Sequence, residues 1–352
     1  MVMQTEQGVR GAFANQVAYC RANDAPVTGR VVEAIIAVLD RSTRFGMRVL
    51  DWRGEPLADA LPLRCAGGFH ALSLSGGQPG LAPLYAGDAA AMDGAEVLIA
   101  DALAAHEDAL LPWLDGPPQT NEAGRSSGYA AALLWLAARG LPATFDCLEI
   151  GSSAGINLMM DRYAYRLGGV CVGSDDAPIV FTPEWRGPPP PAQRIAFAGL
   201  KGCDIAPVDL RDPVQALRLT AYIWPEHHQR FDRMRAAVAM VQEKPPALVQ
   251  GDAARWVEQA LAAPQAAGTM RVLMHSIVWQ YLGEERQAAI TVAMEAAGAQ
   301  ACEDRPLAWI ALEANRTLLS HELVVRRWPG DGEPVRLACA HAHGAWIEWL
   351  AG

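Results

Sequence analysis

Gly151, Ser153 and Gly155 fall in the stretch Leu148 to Leu158, LEIGSSAGINL, and their spacing serves two different chemistries. Read as G-x-S-x-G, they form a nucleophile elbow in which the Ser153 hydroxyl attacks a carbonyl. An acid such as Asp252 and an imidazole, His321 or His341, would then have to reach it from downstream. Read from Glu149 as acid-x-Gly-x-x-x-Gly, the same residues form a turn that holds a nucleotide-like cofactor. Gly151 and Gly155 then let the backbone approach a ligand where a Cβ would intrude, and Glu149 accepts hydrogen bonds from a cationic amine.

The order of the surrounding elements favours the second chemistry. From Gly8 to about Leu114 the pattern is helical, with Val31, Val32, Ile35, Ile36 and Leu39 at spacings of three and four and an Ala-rich helix over residues 96–111. A linker, DGPPQT, precedes N-caps at Thr120 or Asn121 and a helix that stops at Gly140 before Pro142. From Thr144 onward strands and helices alternate. FDCLEIG, IAFAGLKGCDI, PALVQGD, RVLMHSIV and PLAWIALEA read as strands, and residues 154–167, 214–242, 253–261 and 284–297 as helices. LEIG is therefore the first strand, whereas a hydrolase spends several strands and an oxyanion loop before its nucleophile. The first strand-to-helix turn of an open parallel sheet is where cofactors sit, against the positive end of the following helix. HELVVRRW and VRLACAHAHGAWIEWL, separated by PGDGEP, predict a closing antiparallel hairpin. The expected fold is α/β: a Rossmann-like, mostly parallel sheet over residues 119–352, behind a helical region over residues 1–118. Residues 170–191, with their WRGPPPP run, fit neither pattern and predict an insertion near 170–195.

Composition narrows the partners. The chain has 352 residues, 51% of them hydrophobic, enough to bury a large core. A net charge of -10 without clustered Lys and Arg argues against nucleic acid. Seven scattered cysteines with no C-x-x-C pair predict reduced thiols. The opening MVMQTEQGVRGAF lacks the apolar core of a secretory signal and no run reaches membrane-spanning length, so a cytoplasmic protein with a small-molecule substrate is expected.

Glu149, Gly151 and Gly155 resemble the first motif of the class I S-adenosylmethionine-dependent methyltransferases, acid-x-Gly-x-Gly-x-Gly, with Ser153 in place of the middle glycine. The resemblance implies a methyltransferase-like Rossmann sheet and S-adenosylmethionine as cofactor. It also implies an acid after the second strand for the ribose hydroxyls, which is Asp204, or Asp175 or Asp176 if the insertion is discounted. Asp252, after the third strand, would contact the adenine amino group. His275, Ser276, Trp279 and Tyr281, at the end of the fourth, would face the acceptor, with His275 and Tyr281 as the catalytic candidates. The Asn, Asp and aromatic signature of amino-methylating enzymes is absent, which argues against nucleobase or glutamine amide acceptors.

Seven stretches in order, among them GFHALSLSGGQPGLAPLY, PQTNEAGRSS, EWRGPPPP, GCDIAPVDL, IWPEHHQRFDRMRAA and HSIVWQYL, resemble a bacterial family of unknown function, DUF2332. The resemblance covers almost the whole chain. It brings in Asn121 and Glu122 as substrate contacts and Arg125 as a bidentate partner for the cofactor's carboxylate. WPEHHQR departs from the family's shorter run, so His227 and His228 are set aside as site residues. His341 and His343 alternate as if along one strand face, a spacing compatible with a metal, but no Cys or acid joins them and no metal is expected. Two other readings stay open beside the transferase: the Ser153 hydrolase, and a non-catalytic descendant of the fold that binds a metabolite or partner.

Overall fold

Thr144–Ile150 (β1) is buried from Cys147 to its end, as a strand between two parallel neighbours must be. The computed structural model describes residues 2–315, 317 and 320–351. Its further strands are Ala164–Leu167 (β2), Val170–Val172 (β3), Val180–Phe181 (β4), Glu184–Arg186 (β5), Ala196–Asp204 (β6), Ala247–Gln250 (β7), Met270–Ser276 (β8), Leu307–Asn315 (β9), Ser320–Trp328 (β10), Val335–Ala340 (β11) and Trp346–Trp349 (β12). Among the described residues nine strands form one sheet in the order β5-β12-β11-β10-β9-β8-β1-β6-β7. Five of its pairings are parallel and three, from β9 through β10 and β11 to β12, are antiparallel. The protein is thus mixed α/β with a large, mostly parallel sheet.

From β1 the chain passes to β6 and β7 on one side, then crosses to β8 and β9 on the other. The carboxyl ends of β1 and β8 therefore flank a topological switch point, where open α/β sheets leave a crevice. The expected closing hairpin is present as β10 and β11.

The chain divides into two compact units, Met1–Thr120 with Asp212–Met234, and Asn121–Arg211 with Arg235–Gly352. The first is helical: Val2–Ala22 (α1), Pro26–Val38 (α2), Arg44–Leu50 (α3), Leu61–Leu74 (α4), Ala82–Tyr85 (α5), Ala89–Asp93 (α6) and Ala95–Leu110 (α7). Pro26 opens α2 where its missing N–H costs nothing, and Val31, Val32 and Ile35 turn the helix's apolar stripe into the core beside Phe13, Phe45 and Phe69. In the second unit, Ser126–Ala137 (α8) is buried from Ser126 to Leu136. Pro213–Ala221 (α9) belongs to the first unit, and His228–Glu243 (α10) runs across the boundary of the division. Ala253–Ala262 (α11) and Gly283–Gly298 (α12) cover one face of the sheet, where Leu148, Ile150, Leu273 and Trp309 meet Val257, Ile290 and Met294. No helix among the described residues is long and apolar enough to cross a membrane.

Three expectations are corrected. The helix expected over 154–167 is a short 3-10 helix, Ile156–Arg162, followed by β2. The Tyr163 hydroxyl donates to the Ile156 carbonyl at 2.7 Å, and Tyr163, Tyr165 and Phe181 pack edge-on and stacked across the small β3-β2-β4 sheet, so the aromatic residues leave the helix for strand. The helix expected over 214–242 is broken into α9 and α10 at Trp224-Pro225, because Pro225 has no N–H to continue it. His341 and His343 lie in the turn between β11 and β12, not along a strand face, and the His343 N–H donates to His341 Nδ1 at 3.2 Å.

Candidate functional site

The turn after β1 holds three left-handed residues, Gly151, Ser153 and Gly155, with φ of +67°, +53° and +70°. Ser153 therefore adopts the backbone that a glycine takes freely, at a cost of about 1–2 kcal/mol for a residue with a Cβ. Asp204, the last residue of β6, offsets that cost: its Oδ2 accepts the Ser153 N–H at 2.8 Å, and its Oδ1 accepts the Ala206 N–H at 2.8 Å. Asn121 Oδ1 accepts the Ile156 N–H at 3.0 Å and fixes the far end of the turn.

Gly151 is pressed from the other side. A Cβ there would lie 2.3 Å from Val278 Cγ2. Gly151→Ala is expected to lower stability by at least about 2 kcal/mol, through strain at positive φ plus overlap. Adding Val278→Ala removes the methyls at 2.3 and 3.1 Å but leaves Val278 Cβ at 2.7 Å, so it should recover only part of the overlap in urea titrations, and no recovery at all would mean that the Val278 methyls do not pack there.

At the carboxyl ends of β1, β6 and β7 lies a pocket of about 230 Å³, lined by Gly151, Asp204, Asp252, Tyr281, Leu282 and Arg286 among others. Four sequence-predicted site residues thus meet at the switch point. Asp252 also caps α11, accepting the Ala254 and Arg255 N–H groups, and pairs with Arg286, which holds its carboxyl below the usual carboxylate range. Tyr281 is 75% exposed.

The strand register separates the remaining candidates by face. Glu149 lies opposite Met274, so it shares a face with Ser276, whereas His275 and Glu313 share the opposite face with Leu148 and Trp309. Glu149 is 2% exposed. Its Oε1 accepts from Asn157 Nδ2 at 3.0 Å, and its Oε2 has no hydrogen-bond partner among the described residues. Burial pushes this carboxyl up to about 7, against the pull of Asn157, Ser152 and Arg125, and Asp204 adds to the push. Asn157 Oδ1 and Ser153 Oγ are likewise buried without a partner among the described residues. Burial, with Glu149 beside it, keeps the Tyr129 phenol far above its ordinary range.

On the opposite face His275, 1% exposed, stacks on Trp279 with centroids 5.0 Å apart. Its Nδ1 lies 2.7 Å from Glu313 Oε1, which also accepts the Val278 and Trp279 N–H groups at 3.1 and 3.2 Å. An oxygen already receiving two backbone donors accepts from the ring as well, so Nδ1 carries a hydrogen.

Glu122 and Arg125 each make a bond that shapes the backbone around them. Glu122 caps the 3-10 turn at Ala123–Arg125 through the Gly124 N–H, and Arg125 Nε donates to the Ala342 carbonyl at 2.9 Å. Asp175 pairs with Arg166 on an exposed loop, with Asp176 beside it, away from the pocket. His227 and His228 fall in the other unit. Among the described residues Ser153 Oγ has no partner, so no imidazole is hydrogen-bonded to it. Among the described residues no group of three His, Cys, Asp or Glu side chains is placed to hold a metal ion.

A family model described as an uncharacterized protein conserved in bacteria, DUF2332, matches residues 10–349. The chain belongs to the DUF2332 family. No curated protein and no solved structure matches it. Three residues beside the candidate site of this DUF2332 protein escape a reading of the sequence: Glu313, Asn157 and Tyr129. Glu313 left a signal, an acid near the end of the apolar run PLAWIALEA. Asn157 and Tyr129 left none, because each sits in a run that reads as ordinary helix.

Proposed function

We propose that this DUF2332 protein is an S-adenosylmethionine-dependent methyltransferase with a methyltransferase-like Rossmann sheet, acting on a small acceptor. The observation that carries the reading is the pocket at the switch point, bounded by the glycine turn after β1, the acid ending β6 and Asp252 after β7. Its volume, about 230 Å³, suits the nucleoside end of such a cofactor better than the whole molecule. Asp204 would hold the ribose hydroxyls and Asp252 the adenine amino group. The amino-acid end would fall to Glu149, whose unpartnered Oε2 is a buried acceptor in want of a cationic donor, with Arg125 toward the carboxylate.

When bound, the group supplies an electrophilic methyl carbon. The chain's task is then alignment and exclusion of water, and a base is needed only where the acceptor must lose a proton. His275, whose ring Glu313 holds in place through Nδ1, would serve there through Nε2 in its neutral form.

Isothermal titration with S-adenosylmethionine and with S-adenosylhomocysteine tests the reading. Saturation at one hundred times Kd should stabilise the fold by about 2.7 kcal/mol. No heat and no thermal shift with either compound would sink it.

A further inference from the structure

We infer that Glu313 is the positioning residue of the candidate ligand site: it does not line the pocket, but it clamps the strained loop Ile277–Tyr281 that walls it. Ile277 has φ +53°, a left-handed backbone that a β-branched residue very rarely adopts. Such a conformation persists only where its surroundings over-determine it, at a cost of about 1–3 kcal/mol.

The Ile277 N–H donates to the Leu312 carbonyl at 3.1 Å on β9. The next two N–H groups, of Val278 and Trp279, both donate to Glu313 Oε1, one strand residue farther on. That same oxygen accepts from His275, whose ring stacks under Trp279, and Gln287 Nε2 donates to the Trp279 carbonyl at 2.7 Å. One carboxylate oxygen thus gathers three donors from both sides of the strained residue.

What the clamp sets is the pocket wall. Val278 is seated on the bare face of Gly151, and Val278, Tyr281 and Leu282 line the pocket together with Cys203, Asp204 and Asp252. Were the clamp released, Ile277 could relax to negative φ, Val278 would lift from Gly151, and the wall would no longer be fixed for a ligand. The inference rests on the proposed cofactor site only for the identity of the ligand, because the pocket and the clamp exist without it.

The test uses the full chain and two readouts. Cys203 is buried at the pocket wall, while Cys147 is buried within β1. Iodoacetamide labelling, followed peptide by peptide, therefore reports pocket opening at Cys203 and global opening at Cys147. In Glu313→Gln, which keeps the shape but removes the charge of the acceptor, Cys203 labelling is expected to rise about tenfold relative to Cys147, as loss of a charged hydrogen-bond acceptor implies. Ile277→Gly in the same chain removes the strain and should return the ratio most of the way to wild type.

A second arm measures affinity for S-adenosylhomocysteine, expected to fall about tenfold in Glu313→Gln and to recover with Ile277→Gly. An unchanged Cys203 to Cys147 ratio overturns the clamp, as does a rise that Ile277→Gly leaves untouched. If the ratio rises and is rescued while wild type binds no S-adenosylhomocysteine, the clamp stands and the cofactor reading falls.

Discussion

Glu149→Gln should make the protein more stable at pH 8 by about 3 kcal/mol and at the same time abolish binding of a cationic ligand at that site. The folded carboxyl titrates near 7 instead of the usual 4.5, so folding favours its protonated form. The associated stability is fully present below about pH 4.5 and is lost as pH rises through about 7. Above that range the wild-type fold holds an ionised carboxylate with one oxygen unpartnered, and glutamine removes that burden. Asn157 presents Nδ2 to Oε1 and has its own Oδ1 unpaired, so the replacement amide meets a reciprocal partner. Urea titrations at pH 5 and pH 8 check the prediction. Wild type should weaken between the two and the variant should not; a flat wild-type profile, or a variant weaker than wild type at pH 8, would refute it. Calorimetry adds the functional half, since affinity for a cationic ligand should rise with pH in wild type and be lost in the variant. A buried group that costs stability in the state that binds is the pattern expected of a site, not of packing.

How far the sequence reveals this site depends on what each residue is tied to. Glu149, Gly151 and Gly155 are legible because strand, turn and acid follow one another in the chain, and Asp204 and Asp252 because each closes an apolar run that must be a strand. The role of Ser153 is not legible: it needs a positive φ, and what secures that backbone is Asp204, 51 residues away. Glu313 is hidden for the same reason, since its partners at 275, 278 and 279 become neighbours only once β8 and β9 pair. The division of His275 from Ser276 onto opposite faces follows from strand alternation, but which face carries which helix does not. The 3-10 helix after the turn is missed because apolar periodicity cannot see the Tyr163 hydroxyl bonding to the Ile156 carbonyl. That shortness bears on the cofactor turn, because a single short 3-10 helix offers little of the macrodipole expected there.

The largest loss of stability should come from a residue outside the pocket. Arg271 is 5% exposed and lies directly opposite Asp146 in the parallel pairing of β8 with β1. Its Nε donates to Asp146 Oδ2 at 3.1 Å, its Nη1 to the carbonyls of Ala260 and Ala263 at 3.0 and 2.9 Å, and its Nη2 to that of Pro264 at 3.1 Å. It therefore places a cation at the carboxyl end of α11, where orphan carbonyls and the macrodipole both favour one. Arg271→Met strands a largely buried carboxylate and four carbonyls, that of Leu261 included, and should cost about 4 kcal/mol. Arg271→Lys should recover little, because a compact ammonium cannot span the fork of acceptors that the planar guanidinium reaches. Replacing Asp146 by Leu in the Met variant should recover the part due to the unpaired charge, and what remains measures the capping of α11. The same helix is capped at its other end by Asp252, on the pocket wall, so amide exchange along α11 should accelerate from its carboxyl end in Arg271→Met. Chemical denaturation of the three variants decides the matter: a Lys variant within about 1 kcal/mol of wild type would show that the charge alone, and not the fork, holds α11 to the sheet.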